Sequence, residues 1–249
     1  MKPPMPSESR WQKAQQYERA FWERSAGNLR SGGKDSPDGW YRWKAGEMEK
    51  HLAGLLPEER KRTARVLEVG CGPAGIVSFM GWGERHAVDP LDDFYSSQEV
   101  FTRHRDPSVR YQKAMGEKLP FPDKAFELVI LQNVLDHVQQ ADKLLQEIHR
   151  VLTDAGLFYM TVNVRAAWGT SFHSVLSRLL IDKGHPYSFT VASIRRFLAE
   201  QGFVVRHEFI EDHGEARRRE RSSPSLRDKI KGYTGLTEFV FYSVCSKAQ

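Results

Sequence analysis

The amino-acid sequence predicts an α/β domain built on a parallel, doubly wound sheet. Two observations support this fold class. Between residues 65 and 163, short apolar and β-branched runs alternate with segments of helical periodicity. The first of these runs ends in a glycine-rich turn, which is how a strand commonly connects to a helix in such sheets. A third observation, one strongly amphipathic helix late in this region, agrees with helices that cover the sheet.

Five strands and two helices are predicted in this central region. The strands are predicted at 65–69, 85–89, 109–113, 126–132 and 157–163. An apolar stretch at 76–80 follows the glycine turn and predicts the first helix. Residues 141–152 predict a second helix, which Gly156 is placed to end. One face of that second helix is formed by Ala141, Leu144, Leu145, Ile148, Val151 and Leu152.

The segments on either side have a different character. Residues 1–64 contain helix-favouring runs at 11–24 and 41–56, separated by a Gly/Ser/Asp stretch, and we interpret them as an N-terminal helical cap. Residues 65–249 are interpreted as the main domain, with insertions at about 164–190 and 211–235.

The end of the chain predicts a helix and two further strands. The helix lies at 190–201, one strand begins at 203, and the last strand is at 236–245. The polar connection between the two strands is predicted to be either a functional loop or a disordered one.

Composition excludes several classes of protein. The chain has 249 residues, of which 40% are hydrophobic, enough for a core that needs neither disulfides nor a structural metal. Its 14 Phe, 8 Tyr and 6 Trp exclude disorder of the chain as a whole. No apolar run approaches the roughly 18 residues of a membrane span. The first residues lack the apolar stretch of a secretory signal, and Cys71 and Cys245 offer neither zinc spacing nor a disulfide framework. We therefore expect a cytoplasmic protein without a metal.

The net charge of +5 is unevenly distributed. Residues 1–64 carry 13 basic and 9 acidic side chains, residues 65–163 carry 10 and 14, and residues 164–249 carry 14 and 9. The strongest basic cluster, at 217–231, has seven basic residues against two acidic ones. Such a cluster is typical either of a site for phosphate, carboxylate or RNA, or of a solvated connection.

The glycine turn has the pattern Gly70-x-Gly72-x-x-Gly75. In this pattern the first glycine permits the tight turn, the second lets a ligand approach the backbone, and the third allows close helix packing. Glu68 lies two residues before Gly70. Asp89 ends the second strand, where a carboxylate can accept both hydroxyls of a ribose; the alternative is a turn or helix-capping role.

Three segments in order resemble a known family. They are Val66-Leu-Glu-Val-Gly-Cys-Gly-Pro-Ala-Gly, then Gly116-Glu-Lys-Leu-Pro-Phe-Pro-Asp-Lys-Ala-Phe-Glu-Leu-Val, then Asn133-Val-Leu-Asp-His-Val with a later Arg150-Val-Leu-x-x-x-Gly. This sequence resembles the class I S-adenosylmethionine-dependent methyltransferases, in particular the small-molecule group that includes the ubiquinone and menaquinone biosynthesis enzymes. The resemblance covers about residues 64–163 strongly and 186–246 loosely. It implies a Rossmann-like seven-stranded sheet, mostly parallel with an antiparallel last strand, and helices on both faces.

The resemblance also implies roles for individual residues toward S-adenosylmethionine, whose product is S-adenosylhomocysteine. The implied cofactor-binding residues are Glu68, Gly70, Cys71, Gly72 and Gly75 for the methionine end, Asp89 for the ribose, Pro90, Leu91, Met115 and Gly116 for the adenine, and Gln132 at the end of strand four. The family usually has an acidic residue at the position of Met115, so the implied contact there is a backbone N–H of Gly116. Glu127 stands where the family usually has Asp.

Two histidines are candidate catalytic bases. His137 follows strand four, at the edge of the sheet where such folds bind ligands; the alternative is a structural histidine that bonds the cofactor loop or caps a helix. His185 lies in a His-Pro segment before the helix that Thr190 is placed to cap, and its alternative is a turn histidine fixed by Pro186. An amine acceptor would need positioning and desolvation more than a base.

Aromatic residues precede the sheet and are predicted either to pack on it or to form a lid over the acceptor. They are Tyr17, Phe21, Trp22, Trp40, Tyr41 and Trp43. The resulting prediction is methyl transfer to a small-molecule acceptor, anionic or aromatic, with the methylated atom undetermined. Two alternatives remain: an RNA methyltransferase that uses residues 217–231, which we disfavour because no RNA-binding module accompanies them, and a non-catalytic cofactor-binding protein. A dinucleotide oxidoreductase is opposed by Glu68 and by the helical segment before strand one.

Overall fold

A computed structural model of the protein describes residues 8–30, 37–166 and 187–248. Its seven strands in these ranges are β1 Arg65–Val69, β2 Glu84–Asp89, β3 Arg110–Lys113, β4 Phe126–Gln132, β5 Leu152–Arg165, β6 Phe203–Ile210 and β7 Glu238–Lys247. The described helices are α1 Glu8–Arg30, α2 Pro37–Leu52, α3 Glu58–Thr63, α4 Asp92–Ser96, α5 Glu99–Thr102, α6 Ala141–Val151, α7 Val191–Glu200, α8 His213–Arg221 and α9 Leu226–Thr234.

The strands form one sheet in the order β3-β2-β1-β4-β5-β7-β6. Neighbours from β3 to β5 are parallel, whereas β7 runs antiparallel to both β5 and β6. The predicted doubly wound, Rossmann-like sheet with an antiparallel last strand is therefore confirmed. Chain order reverses between β1 and β4, so that their carboxyl ends border the crevice in which such sheets bind ligands.

Each face of the sheet has its own apolar core. On one face, Leu144 and Ile148 of α6 are fully buried against the strands together with residues of α7. On the other face, Met48 and Leu52 of α2 are fully buried in a cluster that includes Tyr159 of β5. Helix α2 therefore lies directly on the sheet, next to the carboxyl ends of the central strands.

The helices differ from the sequence prediction in several places: α1 and α2 begin earlier than predicted, α3, α4 and α5 were not predicted, and three differences concern glycines or the turn after β1. The segment after the glycine turn forms a single 3₁₀ turn, Ile76–Phe79, instead of an α-helix. Helix α2 ends at Leu52, four residues earlier than predicted, because the chain turns at Gly54, whose φ is 77°. Gly156 does not end α6: the helix ends at Val151, and residue 152 already pairs with β4, so Gly156 lies within β5.

The polar segment at 211–235 is ordered, since it forms a helical hairpin of α8 and α9. The side chain of Asp212 accepts a hydrogen bond from the N–H of Glu215, and that of Ser225 accepts from Asp228, so both helices have N-terminal caps. The expectation of a loop was therefore wrong for this segment. Among the described helices, none is long and apolar enough to cross a membrane.

Candidate active site

The glycine turn forms a cradle at the carboxyl end of β1. Gly70, Gly72 and Gly75 have φ values of 72°, 60° and 72°, a left-handed conformation that side chains rarely adopt. A Cβ atom at Gly70 would overlap the side chain of Val134, and one at Gly75 would overlap the carboxylate of Glu68. At Gly72 a Cβ would lie 3.6 Å from the Tyr41 hydroxyl and 3.8 Å from Trp22, which are ordinary van der Waals distances, so the turn lies close to both α1 and α2 here.

Glu68 fastens the end of β1 to the 3₁₀ turn. Its side chain is buried, and its Oε2 accepts a hydrogen bond of 3.0 Å from the backbone N–H of Val77. Burial raises the pKa of Glu68 to about 7, although the N–H groups of Ile76 and Val77 and the charge of Lys44 act to lower it. The protein therefore holds a carboxyl group that favours a positively charged neighbour.

Asp89 links the glycine turn to the loop after β2. Its Oδ2 accepts from the N–H of Gly72 at 2.9 Å, and its Oδ1 accepts from the N–H of Leu91 at 2.8 Å. Burial raises the pKa of Asp89 to about 6, against the effect of these two hydrogen bonds. Each carboxylate oxygen has a further lone pair, so Asp89 can hold the turn and still accept from a ligand hydroxyl.

A cavity of about 220 Å³, here called the first cavity, lies over the crevice between β1 and β4. All of the residues predicted to bind the cofactor line it except Gly75, which lies behind the carboxylate of Glu68. The lining residues from that prediction are Glu68, Gly70, Cys71, Gly72, Asp89, Pro90, Leu91, Met115, Gly116 and Gln132.

Helices α1 and α2 close the first cavity from above. Of the predicted lid aromatics, Trp22, Trp40 and Tyr41 line it. Tyr17 and Phe21 are exposed and do not line it. On these two helices, the sequence prediction missed four further lining residues: Trp11, Gln15, Glu18 and Lys44. A signal existed for three of them, because residues 11, 15, 18 and 22 share one face of a helix.

A second cavity of about 170 Å³ adjoins the first. It lies between α2 and the face of β5 and β7, and it shares Trp40, Lys44, Gln132 and Asn133 with the first cavity. Its remaining lining residues are Trp43, Glu47, Tyr159, Thr161, Val240 and Tyr242. The predicted lid residue Trp43 therefore faces this second cavity.

A protein-family model described as a methyltransferase domain matches residues 67–160, which run from β1 through β5 and include the glycine turn. Residues 67–160 therefore form a methyltransferase domain. Two relatives are similar over a longer region. The ubiquinone/menaquinone biosynthesis C-methyltransferase UbiE of Rubrivivax gelatinosus is 24% identical over 149 residues, 56% of this chain and 59% of that protein. The malonyl-[acyl-carrier protein] O-methyltransferase of Geobacter sulfurreducens is 28% identical over 180 residues, 68% of this chain and 66% of that protein.

The fold of the methyltransferase domain is also shared with solved structures. Geranyl diphosphate C-methyltransferase from Streptomyces coelicolor A3(2), in complex with Mg²⁺, geranyl diphosphate and S-adenosyl-L-homocysteine, superposes with a TM-score of 0.60 at 14% identity, covering 82% of this chain and 80% of that one. The matched regions span 59% and 66% of the two relatives named above.

The predicted adenine loop of the methyltransferase domain presents an apolar side chain to the first cavity. Met115, where the family usually has an acid, lines that cavity with 37% of its surface exposed. The next acidic residue, Glu117, also lines the first cavity, and its Oε1 accepts from the backbone N–H of Gln139 at 3.0 Å. A contact between Met115 and an aromatic base would therefore be apolar.

Of the two predicted catalytic histidines, the structure describes one. His137 lines the first cavity, and its Nε2 lies 3.9 Å from Oδ1 of the buried Asp136. Its backbone N–H donates to the carbonyl of Val134, so His137 closes a turn directly after β4. His185 lies outside the described residues. A catalytic role for either histidine remains a prediction.

Proposed function

We propose that this protein transfers the methyl group of S-adenosylmethionine to a small-molecule acceptor. The observation that supports this most strongly is the position of Asp89. Its buried carboxylate holds the N–H of Gly72 at the point where the glycine turn borders the first cavity. A turn and an acidic residue in this arrangement are suited to the ribose of a nucleoside ligand.

The residues around the first cavity fit this cofactor in charge and in shape. S-adenosylmethionine carries a sulfonium and an ammonium group, and the cavity is bordered by the carboxyl groups of Glu68 and Asp89, whose raised pKa values mark them as poorly compensated. Gly72 lines the first cavity, so a ligand can approach its backbone without an intervening side chain. Pro90 and Leu91 together with Met115 would flank the adenine. When bound, the cofactor supplies a methyl group already activated for nucleophilic attack.

The protein itself would contribute orientation and exclusion of water. Helices α1 and α2 cover the first cavity with Trp22, Trp40 and Tyr41. Holding two reactants in line in a closed site is a substantial source of rate enhancement. The two relatives named above differ in the atom that they methylate, since one is a C-methyltransferase and the other an O-methyltransferase.

The variant Asp89→Asn tests the proposed cofactor site. It keeps the size of the side chain but removes the charge and one acceptor, so we expect the dissociation constant for S-adenosylmethionine to rise at least ~10-fold, about 1.4 kcal/mol, by isothermal titration calorimetry. Asp93→Asn is the matched control, because Asp93 is exposed on α4 and pairs with Lys113. Equal affinities for the wild type and Asp89→Asn would contradict the ribose assignment.

The alternative of RNA methylation is weakened by the contacts of the basic segment. Arg217 and Arg221 both donate to the carbonyl of Gly232, which joins α8 to α9. Arg219 pairs with Glu211, and Lys231 pairs with Glu238. These four side chains stabilise the hairpin, so they are less available for phosphates. An RNA enzyme should lose RNA affinity steeply with added salt.

A non-catalytic protein would bind cofactor and release no S-adenosylhomocysteine with any acceptor. A cytoplasmic location and the absence of a metal remain predictions.

A further inference from the structure

The second cavity is walled by aromatic rings. Trp40 and Trp43 cover it from α2, and Tyr159 and Tyr242 form its floor on β5 and β7. The Tyr159 side chain is fully buried, whereas Trp43 is 53% exposed and lies at the outer rim. A volume of about 170 Å³ is close to the roughly 150 Å³ of an apolar cavity known to hold benzene. The space therefore suits one flat ring better than a long chain.

Lys44 gives this aromatic cavity a positive charge at its boundary with the first cavity. Its side chain lines both cavities, and its Nζ lies 3.9 Å from the centre of the Trp40 ring. Among the residues that the structure describes, no carboxylate forms an ion pair with Lys44. Burial lowers the pKa of Lys44 to about 8, although Glu68 acts to raise it, so the ammonium form still predominates at neutral pH.

The other charged group of the second cavity is already neutralised. Glu47 lines the cavity, but its Oε1 lies 2.6 Å from Nζ of Lys50 on the same helix. The remaining polar groups are uncharged: the amides of Gln132 and Asn133 and the hydroxyl of Thr161. In the described lining, Lys44 is therefore the charged side chain without an ion pair, although the buried Glu68 acts on it from the first cavity.

We infer that the second cavity is the acceptor site and that it takes a compact aromatic carboxylate, whose ring lies between the Trp and Tyr side chains and whose carboxylate is bound by Lys44. This inference rests on the proposed function, because an acceptor site presupposes methyl transfer. The site joins the cofactor cavity through Lys44, Gln132 and Asn133, which line both cavities.

A carboxylate acceptor also agrees with the groups that surround Lys44. A carboxylate is ionised at neutral pH, so its oxygen can accept a methyl group without first losing a proton. A phenol would need a base, and the one carboxylate in the second cavity is paired with Lys50. A cationic amine would be repelled by Lys44. The geometry therefore favours an anionic acceptor over these two.

Three single-ring probes that differ only in one group test this inference: benzoate, its uncharged analogue benzamide, and the cation benzylamine. Binding is measured at pH 7 by NMR titration, following the indole N–H resonance of Trp43, with S-adenosylhomocysteine present and absent. We expect benzoate to bind at least ~10-fold more tightly than benzamide, as befits a hydrogen bond to a charged group. Lys44→Met should remove that preference and leave benzamide binding unchanged. Trp43→Ala, followed by the indole N–H resonance of Trp40, should weaken both ligands. The matched control is Lys143→Met, an exposed lysine on α6.

The outcomes separate this inference from the proposed function. Equal binding of benzoate and benzamide by the wild type, tighter binding of benzylamine, or an unchanged preference in Lys44→Met would each overturn the inference while S-adenosylhomocysteine binding persists. Failure of the wild type to bind S-adenosylhomocysteine would instead overturn the proposed function, whatever benzoate does.

Discussion

The variant Glu68→Gln should gain stability over the wild type as the pH rises. The difference between their free energies of unfolding should favour the variant more at pH 8 than at pH 4. Burial raises the pKa of Glu68 from 4.5 to about 7 in the folded state. Between these two values the folded protein binds a proton that the unfolded chain releases, so the free energy of unfolding falls as the pH rises. The two pKa values differ by about 2.5, and each pKa unit corresponds to 1.36 kcal/mol. Above pH 7 the buried carboxylate therefore lowers the free energy of unfolding by about 3 kcal/mol. Glutamine has no charge to bury and escapes this cost.

Urea denaturation at pH 4 and pH 8, without cofactor, measures this effect. The quantity of interest is the stability of Glu68→Gln minus that of the wild type, compared between the two pH values, because any packing difference is common to both and cancels. Glu127→Gln is a control of opposite sign: burial opposes ionisation of Glu127, but hydrogen bonds and charge from Arg65 outweigh it and lower its pKa. That variant should lose relative stability as the pH rises. A pH-independent difference for Glu68→Gln would refute the interpretation that Glu68 is an uncompensated buried acid.

Two further predictions concern the glycine turn and the hairpin. Gly70→Ala should lower the free energy of unfolding by about 2–4 kcal/mol in urea denaturation, since it combines a left-handed φ with overlap on Val134. Gly81→Ala, where a Cβ would meet nothing within 4 Å, should leave stability nearly unchanged, and equal effects of the two variants would contradict this account. Arg221→Ala should speed amide hydrogen exchange in α9, because it removes a hydrogen bond to the carbonyl of Gly232, and should leave exchange in α6 unchanged. Unchanged exchange rates in α9 after the substitution would contradict a stabilising role for the hydrogen bond between Arg221 and Gly232.

The sheet and the proposed cofactor-binding residues could be predicted from the sequence because each is marked by a pattern within a short segment of the chain. Strand β4 has the predicted bounds, since a buried apolar run is enclosed by polar turns. The glycine turn and Asp89 are recognised by spacing along one segment, and the structure brings both to one cavity. The helical hairpin of α8 and α9 is also marked in the sequence, by residues that cap helix N-termini. Asp212 and Ser225 each stand three residues before an acidic residue, which is a capping pattern.

The second cavity could not be derived from the sequence, because its walls meet through long-range pairing. Thr161 of β5 lies opposite Tyr242 of β7 only through the antiparallel register of those strands. Nothing along the chain connects this pair with α2. Lys44 likewise has the sequence context of an ordinary surface lysine, and its position at the junction of two cavities depends on how α2 packs over the sheet.

The thiol of Cys71 lies within the glycine turn, 4% exposed, and lines the first cavity beneath α1 and α2. Burial, together with the charges of Asp89 and Glu68, raises its pKa well above the normal range, so the reactive thiolate is scarce. Helices α1 and α2 cover the cavity that this sulfur lines, so access of an alkylating reagent depends on their position. The rate at which Cys71 is alkylated should therefore report how often the first cavity opens to solvent, and a ligand bound in that cavity should lower this rate.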